Sequence, residues 1–211
     1  MKTFREAIAA GICIGLGGAI YLAVENRMLG AFLFAFGLLT ILLYGFKLYT
    51  GAIGYAGRVF HALELLVILL GNLVGTAIVG TLLKFTPLAI PDAATALVAK
   101  KSAMLAHIFE PHMMLAVFIL GIFCGLLMFI GVDCYKNEKL PAPARVIIVF
   151  LAVALFILSG FEHCVADMFY FFAATLPAEI PLIHSVTFIG IVVLGNTAGG
   201  LCLPRLFLES K

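Results

Sequence analysis

Leu70-Gly71-Asn72-Leu73-Val74-Gly75 and Leu194-Gly195-Asn196-Thr197-Ala198-Gly199 carry one pattern, Leu-Gly-Asn-x-x-Gly, in two different apolar stretches of the chain. Each copy follows a stretch that is too long for one span and is interrupted near its middle. The first of these, 28–56, is broken by Tyr44-Gly45-Phe46-Lys47-Leu48-Tyr49-Thr50-Gly51, and the second, 146–176, by Ser159-Gly160-Phe161-Glu162-His163. A spanning helix takes about 20 apolar residues, and the apolar stretches fall at 7–24, 28–56, 62–86, 112–132, 146–176 and 182–204. The broken stretches are the second member of each group of three. Three spans per half place the halves in opposite orientations across a bilayer. This is the pattern of an inverted repeat, in which discontinuous helices at matching positions mark a transport path. A lone Gly-x-x-x-Gly only permits close helix approach; its duplication after two broken spans carries the reading. The predicted fold class is an all-α polytopic membrane protein of six transmembrane helices, two inverted three-helix repeats with the second and fifth helices broken.

Composition agrees. Of 211 residues, 64% are hydrophobic and 11% charged, against roughly 45–50% and about 25% in ordinary globular chains. One water-soluble core of this size cannot hide that surplus, so a soluble enzyme is excluded. The net charge of +2, without a basic tract, gives nucleic acid no footing. Cys13, Cys124, Cys134, Cys164 and Cys202 stand singly, as small apolar residues inside helices do. Lys2 and Arg5 before the first stretch imitate a signal peptide, but everything after it is equally apolar, so it reads as a span that stays. Pro87, Pro91, Pro111, Pro141, Pro143, Pro177, Pro181 and Pro204 sit at or beyond span ends. Residues 87–111 form the longest connection, with an interfacial helix expected over 93–107. The chain is expected to be one domain, 1–211, with repeats at about 7–86 and 112–206. A cytoplasmic N-terminus puts Lys2, Arg5, Arg58, Lys136, Lys139, Arg145, Arg205 and Lys211 inside and Arg27, Lys84, Lys100 and Lys101 outside. That balance predicts both termini in the cytoplasm.

Glu162 and His163 are the polar centre of the fifth stretch. An ionisable side chain at that depth costs about 2.5–3.5 kcal/mol on insertion scales and faces a cavity or a partner. His163 either bonds a neighbouring helix or meets a solute in a narrow pore, where an imidazole suits an anion or its conjugate acid. Glu162 is expected to fix backbone N–H groups at the break, because a carboxylate in the path repels anions. Asp167 either pairs with His163 or caps a resumed helix. Lys47 either neutralises Glu162 or snorkels to the interface. Thr50 offers a hydroxyl at the matching break. Asn72 reads as interhelical glue, and Asn196 either as glue or as a support for His163. Lys100 and Lys101 are either anion collectors at an outer mouth or solvated loop charges. His61, His107, His112 and His184 lie near span ends with no specific role expected.

Gly160-Phe161-Glu162-His163-Cys164-Val165-Ala166-Asp167-Met168-Phe169 resembles the GFEHxxANMF signature of the formate/nitrite transporter family. Gly45-Phe46-Lys47-Leu48-Tyr49-Thr50-Gly51 resembles that family's GAELFTG loop, and both Gly-Asn repeats fall where the family has them. The likeness runs from about residue 7 to 206. It implies an aquaporin-like protomer, a homo-pentamer with one pore per protomer, and passage of small monovalent anions such as formate, nitrite or hydrosulfide, with or without a proton. It further implies that His163 is the central pore histidine, with Thr50 opposite and Asn196 supporting the imidazole. Phe34, Leu38, Leu48 and Tyr49 match positions that narrow the pore, Phe156 joins Phe34 in the outer constriction, and Met128 joins them through a weaker match at Gly121-Ile122-Phe123-Cys124. Four positions depart from the family pattern. Lys47 replaces an acidic residue, Asp167 an asparagine and Gly125 an asparagine, and Lys101 lies too far upstream to match the family lysine before the fourth helix. The charge changes at 47 and 167 are expected to compensate each other.

The expected function is therefore a channel or proton-linked carrier for a small weak-acid anion in the inner membrane, needing no cofactor or metal. Two other readings stay open: a neutral-solute channel for water, ammonia or a small polyol, and a haem or quinone anchor. Bis-histidine haem ligation needs two histidines at similar depth, and only His163 is central. No HExxH or GxSxG arrangement exists for an intramembrane hydrolase.

Overall fold

A computed structural model of the chain describes residues 1–175 and 181–208. Pro177, expected at a span end, and Lys211, counted among the cytoplasmic charges, lie outside the described residues. The first half contains α1 (Lys2–Ala23), α2 (Arg27–Tyr44), the short α3 (Tyr49–Ala52) followed by a 3-10 turn, and α4 (Ala62–Leu83). A connection carries α5 (Ile90–Ala99) and α6 (Ser102–Ala106). The second half contains α7 (Pro111–Lys136), α8 (Ala142–Ser159), α9 (Cys164–Ala173) and α10 (Leu182–Leu203). Six of these helices are long and apolar enough to cross a membrane.

The two broken spans stop for the same reason. Gly45 ends α2 at φ 69° and Gly160 ends α8 at φ 73°, the left-handed conformation that only glycine adopts without strain. The next residue closes each helix: Phe46 N–H donates to Ile41 O at 2.9 Å, and Phe161 N–H to Phe156 O at 3.0 Å. The chain then runs extended for a few residues and starts a new helix, α3 or α9. Arg27, at the start of α2, donates to the carbonyls of Ile157 and Leu158 near the end of α8 (3.3 and 3.4 Å). The two helices are therefore antiparallel neighbours, as an inverted repeat requires.

Glycines bring the outer helices of each half together. Gly75 on α4 lies against the carbonyl of Ile8 on α1, and Gly11 on α1 against the backbone of Asn72. Gly199 on α10 meets the carbonyl of Ile122 on α7, and Gly125 on α7 the backbone of Asn196. Gly125 thus has no room for the asparagine of the family pattern. A side chain at Gly75 or Gly199 must force the helices apart, and such overpacking costs about 1–3 kcal/mol or more. Gly75→Val is expected to lower the detergent unfolding temperature and the monodisperse yield, with Gly190→Ala, where the structure leaves open space, as a milder comparison.

The connection differs from expectation. It forms two helices rather than one interfacial helix over 93–107, and these turn a buried face to the protein: Ile90, Ala94, Val98, Leu105 and Ile108 are all buried. Thr175 N–H donates to Thr95 Oγ1 at 2.9 Å, tying α5 to the end of α9. His184, expected to do nothing specific, bonds the carbonyl of Leu105 at 2.8 Å and so anchors α10 to α6.

Candidate functional site: two vestibules meeting at a buried imidazole

The two asparagines of the duplicated pattern hold the breaks by matching bonds. Asn72 Nδ2 donates to Ala7 O and Lys47 O, both at 2.8 Å, while its Oδ1 accepts Tyr49 N–H at 2.8 Å. Asn196 Nδ2 donates to Gly121 O and Glu162 O, both at 2.8 Å, while its Oδ1 accepts Cys164 N–H at 2.9 Å. Each amide straddles one residue, Leu48 in the first break and His163 in the second. Asn196 therefore supports His163 through the backbone on either side of it, not through the ring. Asn72 does the same for Leu48 and is more than helix glue.

His163 is buried. Its Nδ1 accepts the N–H of Ala166 at 3.1 Å and caps α9. In the neutral ring this assigns the hydrogen to Nε2, which donates to Thr50 Oγ at 2.9 Å. A proton on Nδ1 would displace Ala166 and face the positive end of α9. The ring stacks on Phe156 (centroids 5.3 Å apart, 25° between planes), and Phe156 meets Phe34 edge-on at 6.0 Å. Phe34 and Phe156 are thus brought together beside the imidazole.

Two vestibules approach this point. One, of about 110 Å³, lies on the face of the N-terminus, where Lys47 N–H donates to Glu6 O at 3.4 Å. Leu38, Lys47, Leu48, Phe60 and Lys136 are among its lining residues. The other, of about 200 Å³, is lined by Lys100, Lys101, Phe156, Glu162, His163 and Asp167 among others, with Arg27 at the same face. They share no lining residue. Leu48 closes one and His163 the other. Phe34, Tyr49 and Met128 are buried but line neither vestibule, and the Tyr49 hydroxyl bonds Thr197 Oγ at 2.8 Å.

The charged residues depart furthest from expectation. Lys101 forms ion pairs with Glu162 and with Asp167, the latter at 3.1 Å, and keeps 13% of its side-chain exposure. It is neither a solvated loop charge nor a free anion collector; Lys100 is exposed and also lines this vestibule. Glu162 fixes Lys101 rather than backbone N–H groups. Asp167 joins the same lysine and not His163. Lys47 does not reach Glu162: its ammonium lies 5.4 Å from the centroid of Phe60, in the other vestibule. The changes at 47 and 167 sit in different vestibules and do not compensate locally. Sequence spacing puts Lys101 at the outer mouth, too far upstream of α7 to match the family lysine, and gives no pairing with Glu162 or Asp167. One signal was present: Ile90, Ala94, Val98, Lys101, Leu105 and Ile108 recur at helical spacing, which puts the lysine on the buried face.

Residues 1–208 match the sequence profile of the formate/nitrite transporter family. The chain belongs to the formate/nitrite transporter family. Among relatives, formate channel FocA of Haemophilus influenzae is 25% identical, the match covering 79% of this chain and 64% of FocA. Formate channel FocB of Escherichia coli is 24% identical, covering 87% of this chain and 68% of FocB. The chain thus spans about two thirds of the length of these curated relatives. Among solved structures, a pentameric formate channel with formate bound superposes with a TM-score of 0.78 at 24% identity, covering 99% of this chain and 96% of that one. An FNT family ion channel superposes at 0.80 and 22% identity, covering 100% and 90%. These likenesses establish the fold. The protein is a multi-pass membrane protein of a family named for transport, not for an enzymatic reaction.

Proposed function

We propose that the chain is a passive channel or proton-linked carrier for small monovalent weak-acid anions such as formate, nitrite or hydrosulfide. It acts as one domain of two repeats, 7–86 and 112–206, assembled as a homo-pentamer in the inner membrane with both termini cytoplasmic. The observation that carries this reading is the neutral imidazole of His163 at the closed end of the larger vestibule, its Nε2 bonded to Thr50. Leu48 and the Phe34–Phe156 pair make the surroundings apolar, and an unpaired ion there is costly. A neutral ring that offers an N–H, with a hydroxyl beside it, stabilises an anion by hydrogen bonds or accepts it as its neutral acid. The family match and the formate channels FocA and FocB support the substrate class.

Formate uptake into proteoliposomes, followed across a pH series, tests the protonation step. Uptake is expected to rise as pH falls, because the neutral-acid fraction grows, and His163→Asn is expected to change that profile. Uptake indifferent to both pH and the substitution removes the protonation step. The neutral-solute reading draws on one observation, that the buried cluster of Lys101 with Glu162 and Asp167 holds two acids to one base, beside Arg27 and Lys100 in the lining of the larger vestibule. Liposome swelling with ammonia or glycerol in place of formate separates the two.

A further inference from the structure

The vestibule on the N-terminal face has cations and no acid in its lining. Lys47 and Lys136 both border it, and the remaining lining residues are apolar or glycine. Neither lysine forms an ion pair among the described residues. Each is held by an aromatic ring instead: Lys47 lies 5.4 Å from the Phe60 centroid and Lys136 4.0 Å from the Tyr55 centroid. Such contacts orient an ammonium group without cancelling its charge. Asp133, three residues before Lys136, accepts the Tyr55 hydroxyl at 2.9 Å, and neither it nor Glu138, two residues after Lys136, lines the cavity. The opposite vestibule is different, because its inward lysine is consumed by two carboxylates.

We propose that Lys47 and Lys136 form an anion-binding site in the N-face vestibule, which holds a small monovalent carboxylate or inorganic anion directly before the Leu48 constriction. The proposal rests on the anion-channel reading for its physiological ligand, while the site itself follows from the charges. Two like charges against a low-dielectric wall repel each other, and an anion between them relieves that repulsion while the wall keeps its field unscreened. The apolar remainder of the lining accepts an anion with a small apolar body and gives a polyvalent, strongly hydrated one no further donors. This site loads the pore from the N-terminal face, so the two faces differ in how well they capture anion.

The chain has no tryptophan, so Phe60→Trp places a single fluorophore beside Lys47 at the cavity wall. Quenching by iodide, a monovalent anion, is compared with quenching by acrylamide, which is neutral and reports access alone. In Phe60→Trp the iodide-to-acrylamide ratio is expected to exceed that of the same protein carrying Lys47→Glu and Lys136→Gln by about threefold or more at low ionic strength, and the gap is expected to narrow in concentrated salt. Lys47→Arg is expected to keep the high ratio. A ratio that is the same in the charged and substituted proteins overturns the site. Taking the ratio removes any change in access caused by the substitutions themselves. Formate flux through the protein without the added tryptophan separates the two proposals: a charge-dependent ratio in a protein that passes no formate keeps the site and refutes the channel reading, and formate flux with a charge-independent ratio does the reverse.

Discussion

Replacing Asn196 by leucine is expected to abolish the ordered second break and to lower the unfolding temperature in detergent more than any surface substitution. The leucine removes three hydrogen bonds at once, those to Gly121 O, Glu162 O and Cys164 N–H. Glu162 O and Cys164 N–H, in the non-helical break, lose this partner at about 1–3 kcal/mol apiece, while Gly121 O keeps its helical bond within α7, and in an apolar surround no water takes the place of the amide. The sum is several kcal/mol, a large part of the stability of an ordinary domain. Asn196→Asp is expected to fall between, since its carboxylate still accepts Cys164 N–H but donates to neither carbonyl. Asn72→Leu should cost about as much as Asn196→Leu, because Ala7 O, Lys47 O and Tyr49 N–H stand in the matching places. Circular dichroism melts of the three variants decide the matter. A leucine tolerated at either position, with the melt unchanged, would show that the breaks are held by something other than these amides.

Asp167→Asn is expected to increase anion flux, whereas Lys101→Met is expected to prevent stable folding. Lys101 is the single cation between two buried carboxylates, and Asp167 Oδ2 has no hydrogen-bond partner among the described residues. With both acids ionised the cluster carries one net negative charge beside the vestibule that ends at His163. A unit charge roughly 8 Å from the path, at an effective dielectric constant of about 20, opposes an anion by about 2 kcal/mol. Its removal should raise formate flux roughly thirtyfold at low ionic strength and less in high salt. The asparagine is nearly isosteric and leaves the Lys101–Glu162 pair in place. Lys101→Met instead strands two carboxylates, and breaking a buried pair costs about 3–5 kcal/mol. Stopped-flow flux measurements on Asp167→Asn, with melts on both variants, test this together. Equal flux in Asp167→Asn and the unsubstituted protein would mean that Asp167 carries no charge in the working channel.

The Lys101 cluster also marks where reading the chain alone went wrong. Lys101 lies in a connection, and the position of a connection cannot be counted along the sequence: α5 and α6 fold back on the protein, and only that path brings the lysine to Glu162 and Asp167. The same holds for Lys47. Its neighbours in sequence suggested a role at Glu162, but the two breaks enter from opposite faces, so their side chains point into different vestibules. The Asn196 reading was close and differed in detail, because an amide that straddles a residue and one that touches its ring have the same sequence signature.

The six apolar stretches, the two glycines that end α2 and α8, and the duplicated Gly-Asn pattern were legible without coordinates. They follow from local causes: the length of chain needed to cross hydrocarbon, the backbone conformation only glycine adopts cheaply, and the small residues needed where helices touch. Which lysine meets which carboxylate, which nitrogen of His163 faces Thr50, and which vestibule keeps free positive charge were decided by the tertiary structure alone. Those outcomes depend on distances of a few ångströms between groups far apart in the chain, and at that range electrostatics and hydrogen bonds are set by packing rather than by spacing.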